Sequence, residues 1–587
     1  MLDHETDPEE DAREAPSSPA RWQMTPDGLR YYPANEVVPI AVTDTPFVYA
    51  AKLVHPDTNE RWLVLRYQDE DGRLIEQVLS RGMLHKGKEL LRHLDTHGLS
   101  CSADPEAEGL LVHYLKQLDR HSRRLRAVTR TGWDADTGLF IFPTGEVFGD
   151  DTSEDRAGVK LANPRRGRAW SRGGSLEGWQ QQLAALAIGN SRLALAVCTP
   201  FAATLLYFAE GSESGGVHFD GASSIGKSSL QRAAASVFGL GASGEGLVLP
   251  WAGTSKGMSA YAALFTDLPF VLDEIGQAKP AEVARIVMNV SNGAGTVAAL
   301  GSGGARELPW WRTLMISSGN HAVEDIIGQN SEFDIQAIRV RLLNIPSEVK
   351  PGTAFEQHHG FADGGAFADY IRAMAVTHYG HAGWTWLTRL TAEVNADPAG
   401  FRLMLNSRLR AFCKTYEASA AGVVRRGVQR FALAAAAGEL AIEWGILPWP
   451  AGEAKKAAAK CLKAWQRWVE GRSTDHKAKV LAHLREWMFA NPTKFANHLA
   501  PETRSGLVGY YEDKVDGRYY YIVKERWPEV TKGLDGISPQ EAIEMLNAQS
   551  LLLRAKPKGL LHKKSPRGLG PGMQVQVYVV LPRAFQA

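Results

Sequence analysis

The spacing of hydrophobic and polar positions changes along the chain, and each change predicts a domain. Short apolar runs such as FVYAAKLVH and RWLVLRYQD, around one helical stretch, predict an α+β domain over residues 41–170. In residues 176–350 short apolar strands alternate with helices, which is typical of a parallel sheet. Residues 351–475 have alanine-rich helical spacing throughout. This order predicts a multidomain α/β chain with a helical extension.

The last region, residues 476–587, combines helices with short strands. The helix SPQEAIEMLNAQS is followed by two apolar strands, LLLRAKP and MQVQVYVVLP, around a Gly/Lys-rich loop. A tyrosine-rich hairpin, DGRYYYIVKERW, precedes them. Helix, strand, loop and strand in this order predict a winged helix at the carboxyl end.

Composition narrows the classes of protein that fit. A chain of 587 residues is too long for one hydrophobic core, and 66 Lys+Arg against 65 Asp+Glu exclude a globally basic nucleic-acid coat. Any DNA binding must therefore come from local patches. The four cysteines are far apart and lack zinc-ligand spacing, which favours a reducing cytoplasm. Residues 1–40 begin with seven acidic residues and one arginine, which predicts a disordered acidic tail.

One uncharged stretch, Leu193–Ala209, resembles a membrane span at first sight. It contains Thr199 and Pro200, and it is shorter than the ~20 residues that a span needs. We therefore expect a buried helix beside the sheet and no membrane association.

The segment Gly221–Ser228, GASSIGKS, matches the phosphate-binding pattern G-x-x-x-x-G-K-[ST]. A strand-like GGVHFD precedes it and an amphipathic helix follows, which is the context that a P-loop requires. Lys227 would contact the β- and γ-phosphates of ATP, and the Ser228 hydroxyl would bind Mg²⁺. The predicted ATP-binding residues are Gly221, Ser223, Ser224, Gly226, Lys227, Ser228 and Ser229.

Two later strands supply the polar groups that hydrolysis needs. LPFVLDE ends in Asp273, predicted to hold Mg²⁺, and Glu274, predicted to act as general base on the attacking water. TLMISSGN places Asn320 at the end of a strand, where it would contact the γ-phosphate or orient water. In additional-strand ATPases such a sensor strand lies between the P-loop strand and the acidic strand.

Arginines follow in IRVRLLNIP, a predicted strand. Arg339 or Arg341 is a candidate arginine finger, which would reach the nucleotide of a neighbouring subunit. The alternative is that both lie on a solvated strand face and pair with acids. We favour Arg341.

Taken together, SRGGSLEGWQQQLAALAIGNSRLALAVCTPFAATLL, GASSIGKSS, LPFVLDEIGQA, WWRTLMISSGN, RVRLLNIP and RFALAAAAGELAIEWGILPWPAGEA resemble the family called domain of unknown function 927. That family comprises P-loop ATPases of phages, genomic islands and other mobile elements, including relatives of MCM-type AAA+ helicases. The resemblance spans roughly residues 47–490. It implies an AAA+-like, ring-forming ATPase that acts in replication of the element, with ATP and Mg²⁺ as cofactors.

One departure from the family pattern concerns the segment SNGAGTVAALGSGGAREL between the acidic and sensor strands. The family tends to carry basic residues there, whereas this chain has only Arg306. A pore hairpin formed by this segment would grip DNA through backbone amides or through residues elsewhere.

Basic residues are concentrated after Ser550, where seven lysines and arginines occur without an acid. We predict DNA contacts from Lys556, Lys558, Lys563, Lys564 and Arg567, with a solvated tail as the alternative. A second patch comprises Arg123, Arg124, Arg126 and Arg130, followed by a basic linker with Arg165, Arg166, Arg168 and Arg172. Trp170, Tyr519, Tyr520 and Tyr521 would stack on bases or, alternatively, belong to the core.

The resemblance thus implies a ring-shaped, expected hexameric, ATP-dependent helicase or translocase that acts on single-stranded or forked DNA. An element-encoded primase or initiator would be its partner. The alternative is an ATP-regulated, origin-binding initiator without strand-separating activity. A defence ATPase fits less well, because the sequence shows no nuclease constellation.

Overall fold

A computed structural model describes residues 20–149, 158–165, 167–295, 309–327, 335–416, 422–500, 505–534, 537–555, 559–567 and 573–585. The chain divides into two compact units. The first comprises residues up to Gly167 together with Leu387–Ala396, and the second comprises Arg168–Trp386 and Asp397–Ala587. The multidomain α/β architecture predicted from the sequence is confirmed.

Up to Gly167, the described residues of the first unit form three small sheets and two helices. The strand orders are β1-β2-β3, β11-β7-β4-β5-β6 and β10-β9-β8. The strands are β1 (Arg21–Thr25), β2 (Gly28–Tyr32), β3 (Ile40–Ala41), β4 (Phe47–Val54), β5 (Arg61–Gln68), β6 (Leu74–Ser80), β7 (Arg124–Val128), β8 (Gly132–Trp133), β9 (Phe140–Ile141), β10 (Val147–Phe148) and β11 (Val159–Leu161). The helices are α1 (Gly87–Thr96) and α2 (Ala107–His121).

Part of the predicted acidic tail is folded. Within residues 1–40, β1 and β2 form an antiparallel hairpin, although residues 1–19 lie outside the described part. The acidic run ends at Glu14, and the following RWQMTPDGLRYY alternates aromatic and polar residues around a Pro-Asp-Gly turn. Trp22 and Tyr31 pack against the core of this unit. The tail prediction was therefore wrong for this hairpin, because acidic composition was extended past the point where it ends.

The second unit contains a five-stranded parallel sheet, as predicted. Its strands are β12 (Gly215–Asp220), β13 (Val248–Pro250), β14 (Leu268–Asp273), β15 (Thr313–Gly319) and β16 (Leu342–Pro346). They pair in the order β13-β14-β15-β12-β16, and every pairing is parallel. The strands are apolar and almost entirely buried, as expected for a sheet covered on both faces. All their carboxyl ends lie at one edge of the sheet.

Helices surround this sheet and continue to the carboxyl region. They are α3 (Leu176–Gln182), α4 (Ser191–Leu205), α5 (Lys227–Ser236), α6 (Ser255–Ala262), α7 (Pro280–Asn292), α8 (Val323–Ile327), α9 (Ile335–Arg339), α10 (Gly364–Thr377), α11 (His381–Ala396), α12 (Pro398–Tyr416), α13 (Gly422–Glu443) and α14 (Glu453–Ala490). All fifteen residues of α4 are buried, and it packs on β14, β15, α5, α13 and α14. The uncharged stretch is thus a core helix. Among the described residues no helix is long and apolar enough to cross a membrane.

The carboxyl region has its own sheet, in the order β17-β18-β19-β21-β20. Its elements are β17 (Phe495–Asn497), β18 (Gly509–Lys514), β19 (Gly517–Val523), α15 (Trp527–Val530), α16 (Pro539–Ala548), β20 (Leu561–Lys564) and β21 (Val575–Val580). The strand predicted at LLLRAKP is reduced to a single bridge, Leu552 with Val580, and β20 begins nine residues later. The strand beside β21 is therefore formed by the Gly/Lys-rich segment, while the leucine run contributes only this bridge and the hydrogen bonds next to it.

Helix α14 crosses the domain boundary that the sequence predicted between residues 475 and 476. Its last turns bring Val480, Leu484 and Met488 into the carboxyl core, together with Ile522 and Val580. The break in hydrophobic pattern at this point marks a change of packing partner and not an end of the helix.

Candidate active site

A glycine-rich loop, Gly221–Ser228, joins the carboxyl end of β12 to the first turn of α5. Gly221 and Gly226 have φ angles of +145° and +108°, which side chains rarely tolerate. A Cβ at Gly226 would lie 2.5 Å from the Phe355 ring. The loop therefore needs glycine at both positions, and it leads into the amino-terminal end of a helix, where free N–H groups favour anions.

Lys227 is the first residue of α5, and 7% of its surface is exposed. Its Nζ donates to the carbonyls of Gly221, at 2.8 Å, and Ala222, at 2.5 Å, and to Asn320 Oδ1, at 3.1 Å. Burial lowers the pKa of the Lys227 ammonium, while Glu274, Asp220 and Asp273 act in the opposite direction. The cation is thus held at the mouth of the loop between carbonyl oxygens and nearby carboxylates.

The acidic strand β14 ends beside this loop. Asp273 Oδ1 accepts hydrogen bonds from Ser318 Oγ, at 2.7 Å, and from Ser228 Oγ, at 3.5 Å. The next residue, Glu274, has a left-handed φ of 57°, a conformation that costs a non-glycine residue about 1 kcal/mol. Its backbone N–H donates to Ser318 Oγ at 3.4 Å. Ser318 thereby holds the turn that presents both carboxylates.

Asn320 follows the end of β15, the strand that lies between β12 and β14. This is the position that the sequence assigned to a sensor strand. Because Asn320 accepts from Lys227 and Ser228 donates to Asp273, side chains from the ends of β14 and β15 and from the first turn of α5 form one group. Ser223 and Ser224 are exposed on the same loop.

Ser229 does not join this group. Its side chain is fully buried, and its Oγ donates to the Ala368 carbonyl of α10 at 2.9 Å. The sequence placed it among the ATP-binding residues because it follows Ser228. On a helix, consecutive side chains point about 100° apart, so the second serine faces the core. Ser229 anchors α5 to α10 instead.

A buried polar set beneath the site escaped sequence analysis. His218 on β12 contacts Ser317 Oγ through Nδ1, at 2.8 Å, and the His321 carbonyl through Nε2, at 3.0 Å. Trp251 Nε1 donates to the same serine at 2.9 Å. Because a carbonyl only accepts, Nε2 carries the proton and Nδ1 accepts from Ser317. The signal was available: His218 and Ser317 interrupt otherwise apolar strands.

Complete burial lowers the pKa of His218 to about 4, with a smaller contribution from Lys227 and an opposing one from the His321 carbonyl. The imidazole is therefore neutral near pH 7. A neutral ring fits its two hydrogen bonds, one donated and one accepted. His218 thus ties β12 to β15 directly below the glycine-rich loop.

Gln231, also missed, connects α5 to the sheet. It is fully buried, and its Nε2 donates to the carbonyls of Leu272, at 2.7 Å, and Ile316, at 3.2 Å. These carbonyls belong to β14 and β15, whose ends carry the acidic pair and the sensor asparagine. Gln231 therefore fixes the helix that follows the loop against both strands.

The two candidate finger arginines lie at the opposite edge of the sheet. The predicted strand through both was wrong: Arg339 ends helix α9, and Arg341 lies in the turn before β16. Arg339 is buried, and its Nε donates to Glu324 at 2.9 Å. Because the Glu324 carboxylate is a partner in the interior, Arg339 is buried beside it and does not lie on the strand face that the alternation in IRVRLLNIP had predicted.

Arg341 is partly exposed at the amino end of the sheet. Its carbonyl accepts from the Gly216 N–H at 2.8 Å, near the start of β12. Gly216 precedes Gly221 by five residues, so Arg341 lies about 16 Å along the strand from the glycine-rich loop. Its guanidinium donates to the Ala337 carbonyl, at 2.9 Å, and to Asn292 Oδ1, at 3.3 Å. It cannot reach the loop of its own chain.

Arg430 of α13 holds the backbone next to Arg341. It is partly buried and donates to the carbonyls of Val340 and, at 3.2 Å, Ser214. Burial lowers the pKa of Arg430 to about 10, helped by Arg341 and opposed by Glu213. A cavity of about 70 Å³ lies beside it. An arginine at the start of the apolar run RFALAAAAGEL was the missed signal.

The structure describes three of the five basic residues predicted to contact DNA in the carboxyl region. Lys563 and Lys564 lie on β20, and Arg567 follows it, whereas Lys556 and Lys558 lie outside the described residues. Lys563 and Arg567 are exposed, and Lys564 Nζ stands 4.6 Å from the centre of the Tyr521 ring. Arg306, predicted for a pore hairpin, and Arg166 of the basic linker also lie outside the described residues.

The four aromatic residues considered for base stacking differ in burial. Tyr521 is 1% exposed, and Tyr520 packs against the carboxyl core. Tyr519 donates its hydroxyl to Asp516 at 2.5 Å. The Trp170 ring lies 5.2 Å from Phe265. Of the two alternatives, the structure favours the core for Tyr520 and Tyr521.

The residues near Asp273 suit Mg²⁺, which prefers oxygen ligands and takes few of them from protein when phosphates supply the rest. The Ser228 hydroxyl and the Asp273 carboxylate are such oxygens. Across the described part of the chain, no group of three or more His, Cys, Asp or Glu side chains could hold a metal without such help. The donor set therefore fits a metal that arrives with a nucleotide.

Comparison with known proteins gives a family match and matches to solved structures. The sequence profile of a family described as "Domain of unknown function (DUF927)" matches residues 25–310. This supports the resemblance seen in the sequence, over just under half of the chain. No curated protein matches. A solved structure described as "SCCmec type IV Cch - active helicase" aligns with a TM-score of 0.69 at 15% identity, over 96% of this chain and 98% of that one. The chain therefore shares that fold over nearly its whole length.

Proposed function

We propose that this chain is an ATP-driven DNA helicase or translocase of a mobile genetic element, acting in its replication as a ring, with a hexamer expected. The observation that carries the proposal is the group of Lys227, Ser228, Asp273 and Asn320 at one edge of the parallel sheet. The fold shared with a protein described as an active helicase supports it, as does the family match. The strand order, with the Asn320 strand between the other two, supports an AAA+-like ATPase.

The glycine-rich loop would bind the phosphates of ATP. Its backbone amides and the amino end of α5 favour negative charge, and Lys227 would exchange its carbonyl partners for the β- and γ-phosphate oxygens. Ser228 and Asp273 would hold Mg²⁺, which when bound neutralises charge that develops on the phosphates. Asn320, already joined to Lys227, would contact the γ-phosphate side.

Glu274 would take the proton of the attacking water. The left-handed backbone at this residue follows the end of β14, and its N–H donates to Ser318, which also donates to Asp273. A half-buried carboxylate near a bound water is suited to general base catalysis.

The position of Arg341 supports a ring. Its backbone lies about 16 Å along β12 from the glycine-rich loop of its own chain, at the opposite edge of the sheet. In a closed ring, the amino edge of one subunit would face the carboxyl edge of the next, so that Arg341 acts in trans. Arg339 is the weaker candidate because Glu324 already holds it.

The test is ATP-dependent unwinding of forked DNA by the purified chain, beside Glu274→Gln. We expect the unmodified protein to displace a strand only with ATP and Mg²⁺, and the variant to bind ATP without unwinding. ATP hydrolysis without strand displacement on forks of either polarity would contradict the helicase proposal.

An initiator role remains the second candidate, favoured by one observation: α16 precedes an antiparallel pair, β20 and β21, whose outer strand carries Lys563 and Lys564. This arrangement resembles a winged helix. Truncation before residue 480 would cut α14 and expose the carboxyl core, so the test is Lys563→Ala/Lys564→Ala in the full chain. Loss of sequence-specific duplex binding with unwinding retained would assign origin recognition to this hairpin.

A further inference from the structure

The first unit contains a cleft that the ATPase proposal does not use. It is bounded by the start of β5, by the Ser80–His85 segment between β6 and α1, and by one face of α2, and its volume is about 550 Å³. Trp62 and Leu84, both buried, form part of its floor. A floor held by the core gives the cleft a fixed shape.

The rim of this cleft is basic. It carries Arg61, Arg81, His85, Lys116 and Arg120, with Glu60 as its one acidic lining residue. Lys116 and Arg120 are four residues apart on α2, so they share a face with about 6 Å between their Cα atoms. Cations from a strand, a turn and a helix therefore converge on one space.

Most of this charge is not neutralised within the described chain. There, no carboxylate lies within ion-pair distance of Arg61, Lys116 or Arg120, and all three are exposed. Arg81 pairs with the buried Asp119 at 3.1 Å, which fixes the arginine at the cleft wall. Uncompensated cations around a concave surface raise the local concentration of polyanions.

One arginine of the patch that the sequence singled out nearby differs in this respect. Arg126 pairs with Asp134 at 3.8 Å and with Asp136, so its charge is neutralised within the first unit. The sequence placed the basic surface at residues 123–130, and the structure adds unpaired positive charge on α2 and at the β5 end of the cleft.

We propose that this cleft binds the sugar-phosphate backbone of a single DNA strand. The cations supply phosphate contacts without hydrogen-bond readout of bases, so binding would be independent of sequence. The volume suits a short piece of one strand, being within the range of about 300–1,000 Å³ typical of small-ligand sites. The choice of DNA as the polyanion rests on the proposed function.

The experiment measures binding of a fluorescently labelled oligothymidylate to the full chain by anisotropy, over a series of salt concentrations. Lys116→Ala/Arg120→Ala should raise the Kd at least about tenfold and reduce the slope of log K against log salt by about 1.4, two contacts at about 0.7 each. Arg61→Ala should act in the same direction with about half the change in slope.

Two controls separate charge from folding. Arg73→Ala/Arg92→Ala removes the same charge from exposed positions of the same unit outside the cleft lining, and its Kd and slope should stay near those of the unmodified chain. Lys116→Arg/Arg120→Lys keeps the charge and should keep the affinity. An unchanged Kd and salt slope in the double alanine variant, or equal losses in both double alanine variants, would overturn the proposal.

The same proteins distinguish this inference from the helicase proposal. ATP hydrolysis measured without DNA should be unaffected by Lys116→Ala/Arg120→Ala. If the unmodified chain binds oligothymidylate through the cleft yet never unwinds a fork, the helicase proposal fails and the cleft assignment stands. If it unwinds forks and the double alanine variant binds and unwinds equally well, the cleft assignment fails alone.

Discussion

The two edges of the central parallel sheet carry different halves of the chemistry expected of an ATPase. At the carboxyl edge, Lys227, Asp273 and Asn320 meet around the glycine-rich loop. At the amino edge, Arg341 lies beside Arg430 and reaches none of them. The difference teaches that one chain holds the proposed phosphate-binding residues and the candidate finger arginine at opposite edges of the sheet. Assembly into a ring is what would unite them.

The largest expected effect comes from removing the Arg341 side chain at the amino edge. Arg341→Ala should lower ATP turnover by about 10³-fold or more, because a finger stabilises charge that develops in the transition state. ATP binding by an isolated subunit should be unchanged, since the residue lies at the far edge. Steady-state hydrolysis and equilibrium binding of a fluorescent ATP analogue measure the two quantities.

The matched control for that variant is Arg285→Ala, which removes an exposed arginine paired with Glu282 on α7. Its turnover should equal that of the unmodified chain. Weakened ATP binding by Arg341→Ala subunits would show that the residue acts within its own chain, against the two-edge account.

At the carboxyl edge, Glu274→Gln should lower turnover by about 10²- to 10⁴-fold while ATP still binds. The amide keeps the size of the side chain and cannot accept the proton. Single-turnover hydrolysis checks the rate. Glu245→Gln, at an exposed glutamate paired with Arg168, is the control. Undiminished hydrolysis by the Glu274→Gln protein would show that another residue is the general base.

Lys227→Ala should weaken ATP binding by about 10- to 100-fold, the equivalent of a charge-assisted contact worth about 1.5–3 kcal/mol. It also leaves the Gly221 carbonyl without the 2.8 Å partner that it has now. Titration calorimetry with ATP gives the dissociation constant. Lys227→Arg should restore little, because the guanidinium is larger than the space between the loop carbonyls. If the unmodified chain and both Lys227 variants bind ATP with equal affinity, Lys227 does not contact the nucleotide.

The smallest expected effect is on stability, and it concerns His218, which lies below the carboxyl edge. The pKa of His218 is about 4 in the folded chain, so the unfolded chain, with an ordinary value near 6.5, binds a proton first as pH falls. Its contribution to stability is complete above pH 6.5 and declines between 6.5 and 4. From pH 7.5 to 5 we expect a loss of about 2 kcal/mol from this group.

Urea unfolding of the unmodified chain and of His218→Gln at both pH values measures that contribution. The glutamine variant should be less stable at pH 7.5 and should lose less on acidification. Identical pH dependence of the two proteins would show that His218 titrates normally and does not anchor the strands.

The sequence predicted the carboxyl edge better than the amino edge, for a physical reason. The loop and the acidic strand are local patterns: Gly226, Lys227 and Asp273 sit where a strand ends, and a parallel sheet brings such ends together. Arg339 and Arg341 depend on contacts distant in sequence. Glu324 draws Arg339 inward, and Arg430, some ninety residues later, fixes the backbone at Val340.

Long-range packing also accounts for Ser229 and for the carboxyl boundary. Ser229 directly follows the loop pattern, yet its hydroxyl donates to the Ala368 carbonyl of a later helix. The helix that ends at Ala490 continues through the predicted boundary because Val480 and Leu484 find a second core. Neither partner is visible from local periodicity.

The central claim is that the two edges of the sheet complete one site between neighbouring subunits. The most direct measurement mixes Arg341→Ala protein with Glu274→Gln protein and follows ATP hydrolysis as the ratio varies. The account predicts that the mixture hydrolyses ATP faster than either variant alone, because some interfaces pair an intact Glu274 with an intact Arg341. Hydrolysis no faster than the sum of the separate variants at every ratio, with mixed rings demonstrated by native mass spectrometry, would contradict it.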